Sequence, residues 1–152
     1  MNYEIITLEE KKIVGISKKI INNGEAVKDI AEMWNQFNVK NIYNEILDKA
    51  VPNVMGIYYD YEGDYTKPYN FMIGCEVKKS DSLNEEMSQI IIPSGKYAKF
   101  TVRGNVQKAV GEGWMKIWNM NLDRAYTYDF ELYRNNSEDM SDMIVDIFIA
   151  LK

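Results

Sequence analysis

The stretch MSQIIIPSGKYAKFTVRG, residues 87–104, decides how this chain is read. The apolar run Ile90-Ile91-Ile92 and the strand-like KYAKFTV (96–102) flank Pro93-Ser94-Gly95. Proline donates no ladder hydrogen bond, so the stretch reads as a strand region interrupted by a kink or bulge. Helical spacing follows from Asn105 to about Met120, with Val106, Val110, Trp114, Ile117 and Trp118 on one face. YDFELY (128–133) and MIVDIFIAL (143–151) then form a hairpin around residues 134–142.

The same order precedes this segment. EIITL (4–8), the charged turn Glu9-Glu10-Lys11-Lys12 and KIVGISKKII (12–21) are strand-like. Asn22-Asn23-Gly24 breaks the run and offers Asn23 as a helix N-cap. Val27, Ile30, Ala31, Trp34 and Phe37 recur at helical intervals. A shorter helical piece over 41–49 turns Ile42, Ile46 and Leu47 inward, and Pro52-Asn53 ends the helices. VMGIYYDYE (54–62) and YNFMIGCEV (69–77) read as a hairpin with a longer loop. The prediction is one domain over 1–152, made of βαββ repeats at about 1–80 and 86–152. It has an α+β fold with pseudo-two-fold symmetry, a curved antiparallel sheet, two main helices, and a central groove where the halves meet. Grooves between repeats favour small ligands.

Composition narrows the chemistry. The net charge is −5 with scattered Lys and Arg, which argues against direct nucleic-acid binding. No apolar run is long enough to span a bilayer. The N-terminus lacks a signal peptide's apolar core and Cys75 is the only cysteine, so a cytoplasmic protein is expected. Without histidine there is no Ser-His-Asp or Cys-His catalysis and no His-ligated zinc or haem; no metal or cofactor is expected. An acidic chain with 11 Tyr, 9 Met and 3 Trp suits cationic or apolar small molecules.

The order of GIYYDYE, F-x-I-G-C-E-V, IPSGKYAKF, a W-x-x-x-W helix and D-F-E-L-Y resembles the gyrase-inhibitor-like, or AraC-type effector-binding, domain family. The resemblance runs from Tyr3 to Leu151. It implies a pocket for lipophilic cations whose base is a glutamate among aromatics, mapping to Glu131 with Tyr133 following. Relatives are often fused behind a helix-turn-helix domain. Here the first strand begins by residue 4, so a stand-alone member is expected. The resemblance also implies roles in transcription regulation or gyrase inhibition, with a regulator or topoisomerase as protein partner. Some relatives are hydrolases using a pocket glutamate and tyrosine, which would make Glu131 a general base and Tyr133 a proton donor.

Alternation in YDFELY puts Tyr128, Phe130 and Leu132 on one face and Asp129, Glu131 and Tyr133 on the other. A carboxylate in an aromatic cage attracts a delocalised cation; buried without a partner, its pKa rises, so a hydroxyl such as that of Tyr133 is expected to hold it. Trp34, Phe37 and Phe100 are cage or core. Of Trp114 and Trp118, one turn apart, one is expected in the core. Tyr59, grouped with Met55, Ile57 and Tyr61, is the pocket candidate of its strand. Cys75 reads as a buried hydrophobe. Asp146 is either surface or a second acid near Glu131. The alternation leaves the oligomer, monomer or homodimer, open.

Overall fold

The computed structural model of the protein describes residues 2–21, 24–64, 66–79, 83–134 and 141–152. Its elements are β1 (Glu4–Leu8), β2 (Lys11–Ile20), α1 (Ala26–Val39), α2 (Ile42–Glu45), β3 (Lys49–Tyr59), β4 (Tyr69–Val77), β5 (Ser88–Ile92), β6 (Gly95–Gly104), α3 (Val106–Trp118), β7 (Tyr128–Tyr133) and β8 (Met143–Ala150). The strands form one eight-stranded sheet in the order β1-β6-β8-β7-β3-β4-β2-β5, and every pairing is antiparallel. The α+β fold with tandem halves is therefore as the repeat pattern implies. β2-β4-β3 of the first half mirrors β6-β8-β7 of the second, and the halves join where β3 pairs with β7.

Each half lends a strand to the other: β1 pairs with β6, and β5 pairs with β2. The two ladders share one register. Leu8 faces Gly95 and Lys11 faces Ile92, so Glu9-Glu10 and Pro93-Ser94 interrupt a single long ladder at the same point. The proline break is thus a corner shared by two bent strands, and this second join curls the sheet into a half-barrel. At Gly15 and Gly74, which face each other across β2 and β4, the backbones come too close for a side chain. A Cβ on Gly15 would overlap the Ile73 carbonyl oxygen, and one on Gly74 that of Val14.

The curl gives the sheet two apolar faces. On one, α1 lays Met33 and Phe37 on Phe71, Ile73, Cys75 and Val77, while α3 lays Trp114 and Ile117 on Phe100, Val145 and Ile147. On the other, Met55, Ile57, Tyr59, Met72, Tyr97, Phe130 and Phe148 pack against one another across the curved strands. Trp34 and Tyr58 pack against both helix-side clusters and so tie the halves together. Among the described residues no helix is long and apolar enough to cross a membrane.

Local details differ from the sequence reading. The buried stripe of α1 is Ala26, Ile30, Met33, Trp34 and Phe37. Val27 is 84% exposed, and Ala31 also faces outward. Both lie beyond the Trp34 edge of that stripe, on the side turned toward solvent. Asn23 lies outside the described residues; the N-cap position is taken by Glu25, without a side-chain cap. On α3, by contrast, Asn105 caps the helix by accepting from the Lys108 backbone N–H at 3.2 Å. β3 begins before Pro52 and runs through it, because a register shift between Lys49 and Val54 frees the proline from donating.

If Gly15 and Gly74 permit the curl, Gly15→Ala or Gly74→Ala lowers unfolding free energy by about 2–3 kcal/mol or more, as over-packing against rigid backbone does. Gly95, with open space where its Cβ would sit, is the control; Gly95→Ala shifts it by less than about 0.5 kcal/mol. Urea titrations of the three variants measure this.

Candidate functional site

β7 lies at the join between the halves, and its alternation is the one read from the sequence: Phe130 packs on the half-barrel side, while Tyr133 packs under the helices. Glu131 shares the helix side and is 2% exposed. Three neutral donors hold it. Trp114 Nε1 donates to Oε2 at 2.7 Å and the Tyr58 hydroxyl donates to the same oxygen at 2.9 Å. The Tyr133 hydroxyl donates to Oε1 at 2.7 Å. The donors come from α3, β3 and β7, so the site needs both halves. Directly across the ladder stands Gly56. A Cβ there would come within 3.1 Å of Oε1 and 3.2 Å of the Phe71 ring, so the glycine makes room for the carboxylate.

Burial raises the pKa of Glu131 above its ordinary value, and its hydrogen bonds from Tyr133, Trp114 and Tyr58 oppose that shift. Burial and the charge on Glu131 push the Tyr58 and Tyr133 hydroxyls well above the usual phenol range. The same causes push Tyr69 up to about 12. Around the carboxylate, Trp34 stands edge-on to Tyr133 with ring centres 5.2 Å apart, and Tyr58 stands edge-on to Trp114 at 5.1 Å.

The other candidates fall into place by face. Trp114 touches Glu131, whereas Trp118 is 43% exposed with its ring centre 6.4 Å from that of Trp114. Phe37 is buried beneath α1, beside Trp34. Phe100 shares Glu131's cross-strand row through Ile147, two strands away, in the core beneath α3. Tyr59 lies on the face away from Glu131: it points into the half-barrel side and stacks on Tyr128 at 5.8 Å. Both faces of the curled sheet are buried, so an inward-facing tyrosine did not have to face the helices; Tyr58 occupies that position. Tyr61 nevertheless reaches the helix side, because Asp60 at φ 51° turns the chain and ends the alternation.

Asp146 is neither surface nor a neighbour of Glu131's oxygens. It is buried on the half-barrel side, where Arg134 donates to both its oxygens at 2.7 and 2.8 Å and Thr101 donates at 2.6 Å. Despite burial, these bonds hold its pKa below the ordinary value. Cys75 is fully buried, which pushes its thiol up to about 11 and suits a packing role.

A third buried acid, Asp129, carries no signal in the sequence. Asp129, on Glu131's face and fully buried, accepts from Arg124 Nη2 and the Tyr61 hydroxyl, both at 2.7 Å, and from the Ala150 backbone N–H at 2.8 Å. The guanidinium of Arg124 lies 4.3 Å from the Tyr126 ring centre. Nothing in the spacing of Arg124 and Asp129 signalled the pair, since a loop brings them together. Away from both acids, a surface cleft of about 290 Å³ lies between α1 and β2. Both lysines of its lining are already paired, Lys18 with Asp29 and Lys40 with Glu86.

Residues 4–151 match the family described as Cass2, integron-associated effector binding protein. The Bacillus subtilis (strain 168) protein named "Putative transcriptional regulator protein YobU" is 29% identical over 160 residues, covering 100% of this chain and 99% of its own. Among solved structures, SAV2435 bound to tetraphenylphosphonium is similar with a TM-score of 0.83 at 21% identity, covering 100% of this chain and 94% of that one. The integron cassette protein VCH_CASS2 from the mobile metagenome of Vibrio cholerae is similar with a TM-score of 0.76 at 26% identity, covering 99% and 95%.

The raised pKa of Glu131 has a consequence for stability. A carboxylate that holds its proton more tightly when folded contributes less stability as pH rises from the ordinary glutamate range through the raised value. Glu131→Gln removes that contribution, so the variant's unfolding free energy, relative to the native protein, increases with pH across this window. Urea denaturation at a series of pH values measures the difference; a flat or falling one contradicts the shift.

Proposed function

The chain belongs to the integron-associated effector binding protein family, and on that footing we propose that it captures a lipophilic cation, with Glu131 as its counter-ion. One observation carries this reading. Asp129 and Glu131 are buried acids on the same face of the same strand, yet only Asp129 has a cationic side chain of its own. Among the described residues no lysine or arginine forms an ion pair with Glu131, whose oxygens rest on two phenols and an indole. A buried carboxylate without a counter-charge is costly. A ligand cation placed against it, among the faces of Tyr58, Trp114 and Trp34, removes that cost.

The magnitudes favour a diffuse cation over a hydrated one. At 4 Å and an effective dielectric constant near 20, opposite charges attract by about 4 kcal/mol, and each ring face adds about 0.5–2 kcal/mol. An ammonium would lose strong hydration on entry, whereas an aryl-shielded cation loses little and buries apolar surface. Entry requires the ring wall to part. The seam is the contact of Trp34 on α1 with Tyr133 on β7, where the halves' clusters touch. Three of the carboxylate's roughly four acceptor positions are taken by fixed donors, which favours a held counter-ion over the general base that a hydrolytic use of Glu131 and Tyr133 would need. The match to a protein named as a regulator supports a role in transcription regulation, with ligand capture as its input.

Tetraphenylphosphonium is the probe. Glu131→Gln weakens its binding ten-fold or more, about 1.4 kcal/mol or above, and leaves a neutral analogue such as triphenylphosphine oxide nearly unchanged. Calorimetry or quenching of the three tryptophans reads both. Equal losses for the two probes, or none for the cation, overturn the proposal.

A further inference from the structure

The loop between α3 and β7 holds two unfavourable features side by side. Arg124 is 6% exposed, and its Nε is buried with no acceptor among the described residues. Tyr126, whose ring covers the guanidinium at 4.3 Å, sits at φ 55°, in the left-handed region that bulky residues avoid. An unsatisfied buried donor and a strained backbone each cost free energy. Both would be relieved if Tyr126 moved aside and an acceptor took its place.

A continuous row of rings connects this point to Glu131. Tyr126 meets Tyr61 at 5.7 Å, Tyr61 meets Tyr69 at 5.8 Å, and Tyr69 meets Tyr58 at 5.6 Å between ring centres. Tyr58 then donates to Glu131. All four tyrosines are partly exposed, so the row has an edge at the surface while the Tyr58 hydroxyl at its inner end is buried. One end has an acid without a cation, the other a donor without an acceptor.

We propose that this row is a second subsite, and that the ligand class is a lipophilic cation bearing an apolar arm that ends in a neutral hydrogen-bond acceptor, such as an ester or amide carbonyl. The inference rests on the cation reading of Glu131. The charge sits at Glu131, the arm lies along Tyr58, Tyr69 and Tyr61, and the carbonyl oxygen accepts from Arg124 Nε in place of the Tyr126 ring. The acceptor is neutral because Asp129 faces the same guanidinium, and a terminal carboxylate would meet its like charge.

Paired probes test it: alkyltriphenylphosphonium cations and their methyl-ester-terminated counterparts over a short series of arm lengths. On the native protein, the best-matched ester binds about five-fold more tightly than its alkyl partner, the size of one net hydrogen bond. Arg124→Lys keeps a cation for Asp129 but removes Nε; the ester advantage disappears while alkyl binding stays. Tyr126→Gly removes both cover and strain, and increases the ester advantage, which guards against a folding defect in the first variant. Glu131→Gln weakens both probes alike. If neither probe depends on Glu131, the cation reading falls. If both do, but no ester gains on the native protein, or the gain survives Arg124→Lys or shrinks in Tyr126→Gly, the second subsite falls.

Discussion

A buried carboxylate that faces no cationic side chain among the described residues is the constraint around which this fold is arranged. Glu131 is buried at the join of two half-sheets, and two phenols and an indole donate to its oxygens. Those donors come from separate elements, and Gly56 is needed opposite to leave the carboxylate space. The neighbouring acid shows the alternative. Asp129 resolves the same burial with an internal arginine stacked on a tyrosine, an arrangement that a bound aryl cation would reproduce at Glu131.

The rest of the architecture supplies the dry setting this requires. Exchange of β1 and β5 between the halves, in one shared register, curls the sheet so that its far face buries itself without a helix. Both helices are then free to cover the near face, one per half. The pseudo-dyad sets the β3–β7 pair between them, and there Trp34 and Tyr58 belong to both apolar clusters. The sheet is continuous across this join, through the β3–β7 pair and the exchanged strands, so above it the halves' helix layers meet through rings, Trp34 against Tyr133 among them.

Much of this was legible in the residues. Alternation in YDFELY assigned Glu131 and Tyr133 to one face, because a strand's period of two is a property of the backbone. Repetition of strand, helix and hairpin gave the fold class, and Pro93 marked the corner because it cannot donate. Other positions were ambiguous for physical reasons. Val27 and Met33 both fit a helical stripe, and packing chose Met33. Alternation alone does not separate Tyr58 from Tyr59, because a strand buried on both faces offers no polar side to orient it. Asp146 stood alone in an apolar run, and only the chain's return at Arg134 supplied its partner.

The sequence by itself determined what depends on neighbours along the chain: which residues are strand or helix, which side of each strand a side chain takes, and that the second half repeats the first. Tertiary structure decided what depends on residues far apart. It brought Trp114, Tyr58 and Tyr133 onto one carboxylate and gave Arg124 to Asp129, while among the described residues no cation pairs with Glu131. Periodicity is written locally, whereas the balance of charge in a buried site is a sum over every element that closes on it.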